Sequence, residues 1–220
     1  MKRWIYLLTL VVLLLIPARS SVEAIDSGQW SYSLLDDGSA KITAYNGWDT
    51  NIVIPSSLDG HPVSVIGERV FYESSLTSVD IPEGIIAIGD DAFNRCRNLA
   101  SVTLPKGLKY IADGAFYDTA LTAIEIPEDV TMIGFLAFSS CENLKSVTFP
   151  ESLTYMDEDT FHDTNLTSAN VIAGSYAETW AQQNGVSYNY YVVGREITEE
   201  EYNSGWQTLV GHEVYNGYLN

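Results

Sequence analysis

Basic side chains, cysteine and histidine are all scarce in this sequence. Its 220 residues contain 11 Lys and Arg against 29 Asp and Glu, for a formal net charge of -18 at pH 7, with two Cys and three His. Nucleic-acid phosphates and anionic lipid surfaces are bound through Lys and Arg, so the shortage argues against both as partners. The hydrophobic content of 46% and charged content of 18% are typical of a folded chain, and the length suits one domain with an appendage.

Motifs of catalysis and metal binding are missing as well. No Gly-x-Ser-x-Gly, His-Glu-x-x-His or phosphate-binding glycine loop occurs, and no His has Cys, Asp or Glu around it at zinc spacing. Paired acids occur at 90–91, 128–129 and 157–159, but without the spaced acid and Gly pattern of a calcium loop. We expect these acids to be solvated in outward loops. The sequence therefore predicts no catalytic residue, no cofactor and no metal site.

Long apolar runs are missing too, except at the N-terminus. There Lys2 and Arg3 precede an apolar run over residues 4–16, which is shorter than the roughly 20 residues that span a bilayer. Small residues end this region at Ala24, as signal peptidase requires. We predict a signal peptide over residues 1–24 and a secreted mature chain with no lipidation or anchor motif and no stable membrane insertion. Cleavage would change the net charge from -18 to -20.

A repeat is present over roughly residues 52–172. Its unit reads Leu-x-x-Val-x-Ile-Pro-x-x-Ile-x-x-Ile-Gly-x-x-Ala-Phe, and five of its Phe are Phe71, Phe93, Phe116, Phe138 and Phe161. Each Leu is followed by the next Phe after 17 residues, whereas each Phe is followed by its Leu after five or six. All length variation therefore lies in the loop after Phe. A unit of 22–23 residues is too short for a helix pair and predicts one coil of a solenoid that contains a strand.

Each unit predicts a short strand that ends at a proline. In residues 78–81 the apolar residues alternate with polar ones, a period of two that is typical of a half-buried strand, and Pro82 ends it. A second short extended stretch follows, and the glycine after it is predicted to turn the chain. These glycines are Gly67, Gly89 and Gly134. Coils stacked about 4.8 Å apart would turn each repeated apolar position into a buried column.

The repeat resembles the BspA-type (treponemal-type) leucine-rich repeat of secreted and surface bacterial proteins. The family's hallmark stands here as Ile126-Pro127, Ile133-Gly134, Ala137-Phe138, Cys141 and Leu144. The resemblance implies a mainly β repeat solenoid, a right-handed leucine-rich-repeat coil of about five to six units with an N-terminal capping unit and a helix-containing C-terminal cap. It also implies adhesion or contact with host and matrix for some members.

Five segments follow from the repeat and its flanks. They are a signal peptide (1–24), an N-terminal capping unit (25–51), leucine-rich repeats (52–173), a C-terminal cap (174–193) and an acidic aromatic tail (194–220). In the cap, Ser175 and Glu178 have the spacing of a capping box, and Trp180 is predicted to plug the core of the last coil. The tail is predicted to be a short helix or flexible, with aromatics that dock on the cap or on a partner.

The two cysteines occupy the same position in coils two apart. Two rungs place Cys96 and Cys141 about 10 Å from each other, beyond the roughly 7 Å Cα separation that a disulfide allows. We therefore expect no intramolecular disulfide and interpret both as small, semi-buried residues of the longer loop.

The outward positions of the strands are the predicted partner-binding face. They are Ser78, Asp80, Ser101, Thr103, Glu125, Ser146, Thr148 and Asn170, with Ala123 and Ser168 between them. We call this face the strand ladder. It is the surface that solenoids commonly use for binding, although a small polar face could also serve only to keep the sheet soluble.

The function predicted from these features is a secreted, non-catalytic interaction module that binds a protein partner, a host or matrix protein among the candidates, through the strand ladder. The acidity favours a partner with a neutral or basic surface. The alternative is a carbohydrate-binding or enzyme-accessory module. That alternative needs acids converging in a cleft or a row of exposed aromatics, and the repeats show neither at the level of sequence.

Overall fold

The structure, a computed structural model, describes residues 24–191. Residues 1–23 and 192–220 lie outside the described residues, and with them the predicted signal peptide (1–24) except its last residue and the whole of the predicted tail (194–220). Within the described range, no helix has the length and apolarity that crossing a membrane requires.

Strands dominate the described part of the chain, with one short helix near its C-terminal end. The strands are β1 (Ile25–Ser27), β2 (Trp30–Leu34), β3 (Ala40–Tyr45), β4 (Asn51–Val53), β5 (Ser57–Leu58), β6 (His61–Ile66), β7 (Ser78–Asp80), β8 (Ala87–Ile88), β9 (Ser101–Thr103), β10 (Tyr110–Ile111), β11 (Ala123–Glu125), β12 (Met132–Ile133), β13 (Ser146–Thr148), β14 (Tyr155–Met156), β15 (Ser168–Val171) and β16 (Tyr188–Tyr190). The helix α1 spans Tyr176–Gln183.

These elements wind into a mainly β solenoid of about seven turns. One side carries a parallel three-stranded sheet, β4-β7-β9, and a parallel four-stranded sheet, β11-β13-β15-β16. The other side carries one sheet in the order β1-β2-β3-β6-β8-β10-β12-β14, with β5 paired to β6. The predicted repeat region supplies six rungs, of which β4 is the first, and β16 in the C-terminal cap adds one more.

A column of stacked phenylalanines forms the centre of the core. Consecutive rings from Phe71 to Phe161 lie 4.9–5.4 Å apart and within 13° of parallel. Trp30 and Tyr45 pack on Phe71 at the N-terminal end, and Trp180 packs on Phe161 at the C-terminal end. Aromatic rings therefore cover both ends of the column and shield the terminal phenylalanines from water.

The repeated glycines act differently from the prediction. Gly67, Gly89 and Gly134 do not have the left-handed φ of a turn residue; instead, a Cβ on Gly134 would lie 2.7 Å from the backbone N of Asp113. They are needed because adjacent coils come close together at this position. The left-handed turns are made by other columns, such as the one formed by Glu73, Arg95, Asp118, Ser140 and Asp163, where φ is between 54° and 60°.

The cysteines are fully buried, so their interpretation as semi-buried loop residues is wrong. Both thiols are free. Cys96 donates a hydrogen bond to the carbonyl oxygen of Phe71 at 3.0 Å, and Cys141 does the same to Phe116 at 3.1 Å. The longer loop turns its cysteine inward because the thiol can then satisfy a buried carbonyl of the preceding coil.

The C-terminal cap has the predicted form. The Ser175 hydroxyl accepts a hydrogen bond from the Glu178 amide at 3.2 Å, and the Glu178 carboxylate accepts one from the Gly174 amide at 2.6 Å. Trp180 is only 8% exposed and contacts Phe149 and Phe161. The N-cap hydrogen bond of Ser175 and the plug predicted from sequence are therefore confirmed, whereas the return bond of Glu178 goes to the Gly174 amide and not to the Ser175 amide.

Candidate functional site

The strand ladder is formed by parallel strands in register. Ser78 lies beside Ser101 and Asp80 beside Thr103; further along, Thr148 lies beside both Glu125 and Asn170. All eight predicted residues lie on one side of the solenoid, because each flanks an inward residue of its strand.

Exposure is greatest at the centre of the ladder. Ser101, Thr103, Ala123 and Glu125 are exposed, whereas Ser146, Thr148 and Asn170 are half-buried. At the C-terminal end the Asn170 amide donates to the Thr148 hydroxyl at 2.9 Å. No hydrogen bond within residues 24–191 uses the side chains of the central polar residues. Their hydroxyl and carboxylate groups are therefore available to a partner.

The backbone of the ladder is interrupted at the same place. No backbone hydrogen bond between described residues joins β9 to β11, which belong to separate sheets. The inward residue of β9, Val102, is partly exposed, whereas Val79 and Ile124 at the equivalent positions are buried. The two strands at the centre of the ladder are therefore less regularly paired than the strands at its ends.

Tyr191 modifies the C-terminal part of this face, and the repeat pattern did not predict it. Its hydroxyl donates to the carbonyl oxygen of Phe149 at 2.6 Å. Burial, together with the charges of Glu128 and Glu125, raises the pKa of Tyr191. The pKa of Glu128 is also raised, by burial and by the neighbouring charges of Glu151 and Glu125. This end of the face is therefore acidic and partly covered by an aromatic ring.

A second surface, which we call the turn-side groove, lies where the coils turn before and after each Phe. It has a volume of about 540 Å³. It is lined by Glu68, Arg69, Tyr72, Asp90, Asp91, Asn94, Arg95, Asp113, Gly114, Tyr117, Phe135 and Leu136. Sequence reasoning missed it because these positions vary from one unit to the next. The groove places acids and partly exposed aromatic rings near one another, which the repeat pattern did not predict.

The acids of the groove are not simply solvated, contrary to the expectation for the 90–91 pair. Asp90 and Asp91 are half-buried, and burial together with the charge of Asp113 raises the pKa of Asp90. The pKa of Asp113 is raised by burial, although its carboxylate accepts a hydrogen bond from the Phe135 amide at 2.8 Å. The Asn94 amide donates to Asp91 at 2.6 Å. These carboxylates therefore bridge neighbouring coils while repelling one another.

The cations and aromatics of the groove are organised around Tyr72. The guanidinium of Arg69 lies 4.2 Å from the centre of the Tyr72 ring, and Arg95 donates to the Tyr72 hydroxyl at 3.0 Å. Arg95 also pairs with Glu73 at 2.8 Å. Phe135 is 41% exposed. Within the described range, no three potential metal-ligating side chains converge.

The fold defines the class of protein to which this chain belongs. Coils of 22–23 residues, each with a ladder strand, a short second strand and a buried Phe, are the architecture of a leucine-rich-repeat solenoid. The particular family follows from the sequence match: six copies of the BspA type leucine-rich repeat cover residues 64–179. The chain belongs to the BspA-type leucine-rich repeat family.

Solved structures of similar proteins have the same fold. A leucine-rich repeat protein of T. pallidum is 32% identical, with a TM-score of 0.64, over 68% of this chain and 72% of that chain. A leucine-rich cell surface protein of Faecalibacterium prausnitzii A2-165 is also 32% identical, with a TM-score of 0.54, over 69% of this chain but only 49% of its own length. No curated protein matches this sequence significantly.

Proposed function

We propose that this protein is a secreted or surface-exposed, non-catalytic interaction module that binds a protein partner through the strand ladder. The observation that carries the proposal is the centre of the ladder, where Ser101, Thr103 and Glu125 are exposed without hydrogen bonds to other described residues. Binding to a flat polar face of this kind depends on groups that are held in place and unused within the protein itself. Register between parallel strands holds these groups in place.

Location outside the cell is supported by two independent features. The N-terminal segment has the basic, apolar and small-residue order of a signal peptide. The similar protein of Faecalibacterium prausnitzii is described as a cell surface protein. Export would bring the strand ladder into contact with extracellular proteins.

Charge favours a partner with a neutral or basic surface. The acids on or beside the ladder include Asp80, Glu125, Glu128 and Glu151, and the whole chain has a net charge of -18. Electrostatic attraction of this kind mainly accelerates association and weakens with added salt. We therefore expect a salt-dependent association rate for the protein partner.

The experiment is an array of purified extracellular proteins and glycans probed with residues 25–220. For proteins that bind, affinity is then measured for Thr103→Arg, on the ladder, and for Thr154→Arg, an exposed threonine on the opposite sheet side. An added Arg at the centre of a binding face introduces both a steric clash and a repulsion for a basic partner, so we expect Thr103→Arg to weaken binding at least tenfold.

Thr154→Arg controls for the general effect of the new charge and should leave affinity within twofold. Equal loss in both variants, or no loss in Thr103→Arg, would show that the ladder is not the binding face. Binding to glycans alone would contradict the protein partner.

The turn-side groove supports carbohydrate binding as a second candidate function. The rings of Tyr72, Tyr117 and Phe135 lie beside carboxylates that can accept hydrogen bonds from sugar hydroxyls. Tyr117→Ala should abolish glycan signals on the same array, whereas Thr103→Arg should leave them unchanged. Glycan binding that survives Tyr117→Ala would rule out this groove.

A further inference from the structure

The first strand of the ladder side, β4, has an open edge. It pairs with β7 on one side, and no described strand pairs with its other side. On the opposite side of the solenoid the sheet continues past this level through β3, β2 and β1. The capping unit therefore covers the end of one sheet but leaves the end of the ladder uncovered.

The hydrogen bonds of β4 to β7 show which of its backbone groups face the open edge. The Thr50 carbonyl accepts a hydrogen bond from Thr77 at 2.7 Å, and the Ile54 amide donates to Asp80 at 2.9 Å. Alternate residues of a parallel strand bond to opposite sides, so the residues between them, Asn51 and Val53, direct their N–H and C=O groups to the open side. An unpaired row of this kind is a template for another strand.

Apolar side chains are exposed at the same edge. Trp48 is 96% exposed and Val53 is 69% exposed, the two most exposed large apolar residues of the described chain. Trp48 lies three residues before β4, so it is within about 10 Å of the strand. The loop that carries it is held by Asp49, which accepts a hydrogen bond from the Tyr45 hydroxyl at 2.8 Å. Exposed tryptophan held on an ordered loop is typical of a binding anchor.

The charge around the edge indicates the chemistry of the partner. Asp80 lies beside Val53 in the register and is exposed, and Asp49 lies just before the strand. Residues 25–68 contain six acids and one base, Lys41. Two copies of this edge would repel each other, whereas an extended segment with Lys or Arg would be attracted.

We propose that the open edge of β4 binds an extended, basic segment of a partner protein, which adds one strand to the ladder and packs an apolar side chain against Trp48. The backbone of Asn51 and Val53 supplies the hydrogen bonds, and Asp49 and Asp80 supply the charge complementarity. Strand addition of this kind recognises main chain first and side chains second.

The test uses residues 25–220 and the synthetic peptide Lys-Val-Lys-Val-Thr-Val-Lys, blocked at both ends. Amide NMR spectra should show the largest shifts at Asn51 and Val53, together with slower exchange of their amide protons. A peptide with Glu in place of Lys, and one with N-methylated backbone on the pairing side, should each bind at least tenfold more weakly. An N-methylated peptide that binds as well as the parent would overturn the proposal.

Val53→Pro and Val53→Ala form a matched pair of protein variants. Proline removes the open-side N–H without removing a bond to β7, and edge strands tolerate it. We expect Val53→Pro to abolish peptide binding and Val53→Ala to retain it within about threefold, with unfolding midpoints confirming that both fold. Trp48→Ala should weaken binding roughly tenfold. Equal binding by Val53→Pro and the parent, or shifts centred on β16 or the turn-side groove, would contradict the assignment.

This proposal is independent of the partner proposed for the ladder face. Glu125→Ala, on β11 and therefore beyond both β7 and β9, should weaken binding to the ladder face and leave peptide binding unchanged, so a failure of one proposal does not imply a failure of the other. Sedimentation of the chain alone tests for a second copy as occupant. A dimer that Val53→Pro dissociates would replace the partner segment by self-association and overturn the proposal.

Discussion

At the scale of single residues, a side chain's contribution to stability depends on the repeat position, or column, to which it belongs. Phe116 is fully buried between Phe93 and Phe138, with ring centres 5.1 Å and 5.3 Å away. Phe135 instead occupies a turn-side position that is acidic in the two preceding coils, at Asp90 and Asp113. The same residue type is therefore core in one column and surface in another.

Phe116→Ala should lower the free energy of unfolding by about 3–5 kcal/mol. The substitution leaves a cavity in the middle of the stack and removes ring contacts on both sides, and neighbouring coils are held at strand spacing and cannot collapse into it. Urea melts followed by circular dichroism measure the change. Phe135→Ala, at a partly exposed ring, should cost less than about 1 kcal/mol. Similar losses in the two variants would refute the assignment of Phe116 to the core column.

At the scale of elements, the coils are held together by close contact of their backbones. Each coil donates amide hydrogen bonds to the next along the turn side, for example Phe93 to the Ala115 carbonyl and Phe116 to the Ala137 carbonyl, both at 2.8 Å. At the glycine position, a Cβ would clash with the backbone of the neighbouring coil. This accounts for the occurrence of glycine there better than the turn that the sequence predicted.

Gly134→Ala should destabilise the protein by roughly 1–3 kcal/mol, because the new methyl group would have to displace the backbone of Asp113 and Ala112. Gly107→Ala is the matched control. A Cβ at Gly107 meets no atom within 4 Å, so this variant should be neutral or slightly more stable. Thermal unfolding of both variants gives the comparison. A Gly134→Ala variant as stable as the parent would mean that the coils can separate there without loss of stability.

At the scale of the whole molecule, excess negative charge is held partly within the turn-side groove. Burial and neighbouring acids raise the pKa of Asp90 above its ordinary value of 3.8. A raised carboxyl pKa in the folded state means that ionisation is disfavoured by folding. This group therefore stabilises the fold below pH 3.8, and its contribution is lost as the pH rises through the raised value.

Asp90→Asn should consequently raise stability at pH 7 relative to the parent, with the gain disappearing near pH 3.5. Urea melts over this pH range provide the test. Asp37→Asn is a control of opposite sign, because hydrogen bonds from Ser39 lower the pKa of Asp37 and its ionised form stabilises the fold. That variant should lose stability at pH 7. Loss of stability at pH 7 in Asp90→Asn would show that the charge is favourably placed.

Features that repeat along the chain could be predicted from the sequence. The constant interval of 17 residues between Leu and Phe predicts the core columns. The alternation of apolar and polar residues predicts the outward ladder residues, such as Thr103 and Glu125. The N-cap at Ser175 is a local signal, since the residues that form it are three apart. The partner-binding role of the ladder stays a prediction.

Features that depend on packing between coils could not be predicted in this way. The turn-side groove brings Tyr117, Asp90 and Phe135 together from three coils at positions where the units differ. The half-burial of Asp90 and the full burial of Cys96 follow from the direction in which each loop turns, which residue type alone does not specify.

The sequence by itself determined the solenoid, its columns and the face that the strands turn outward, because a short repeat can bury its apolar residues only by stacking on copies of itself. Only the tertiary structure decided where this stack stays open. The capping unit continues the sheet through β3, β2 and β1 but leaves one edge of β4 unpaired beside Trp48. An edge is a property of what packs against a strand, and the strand's own residues do not encode it.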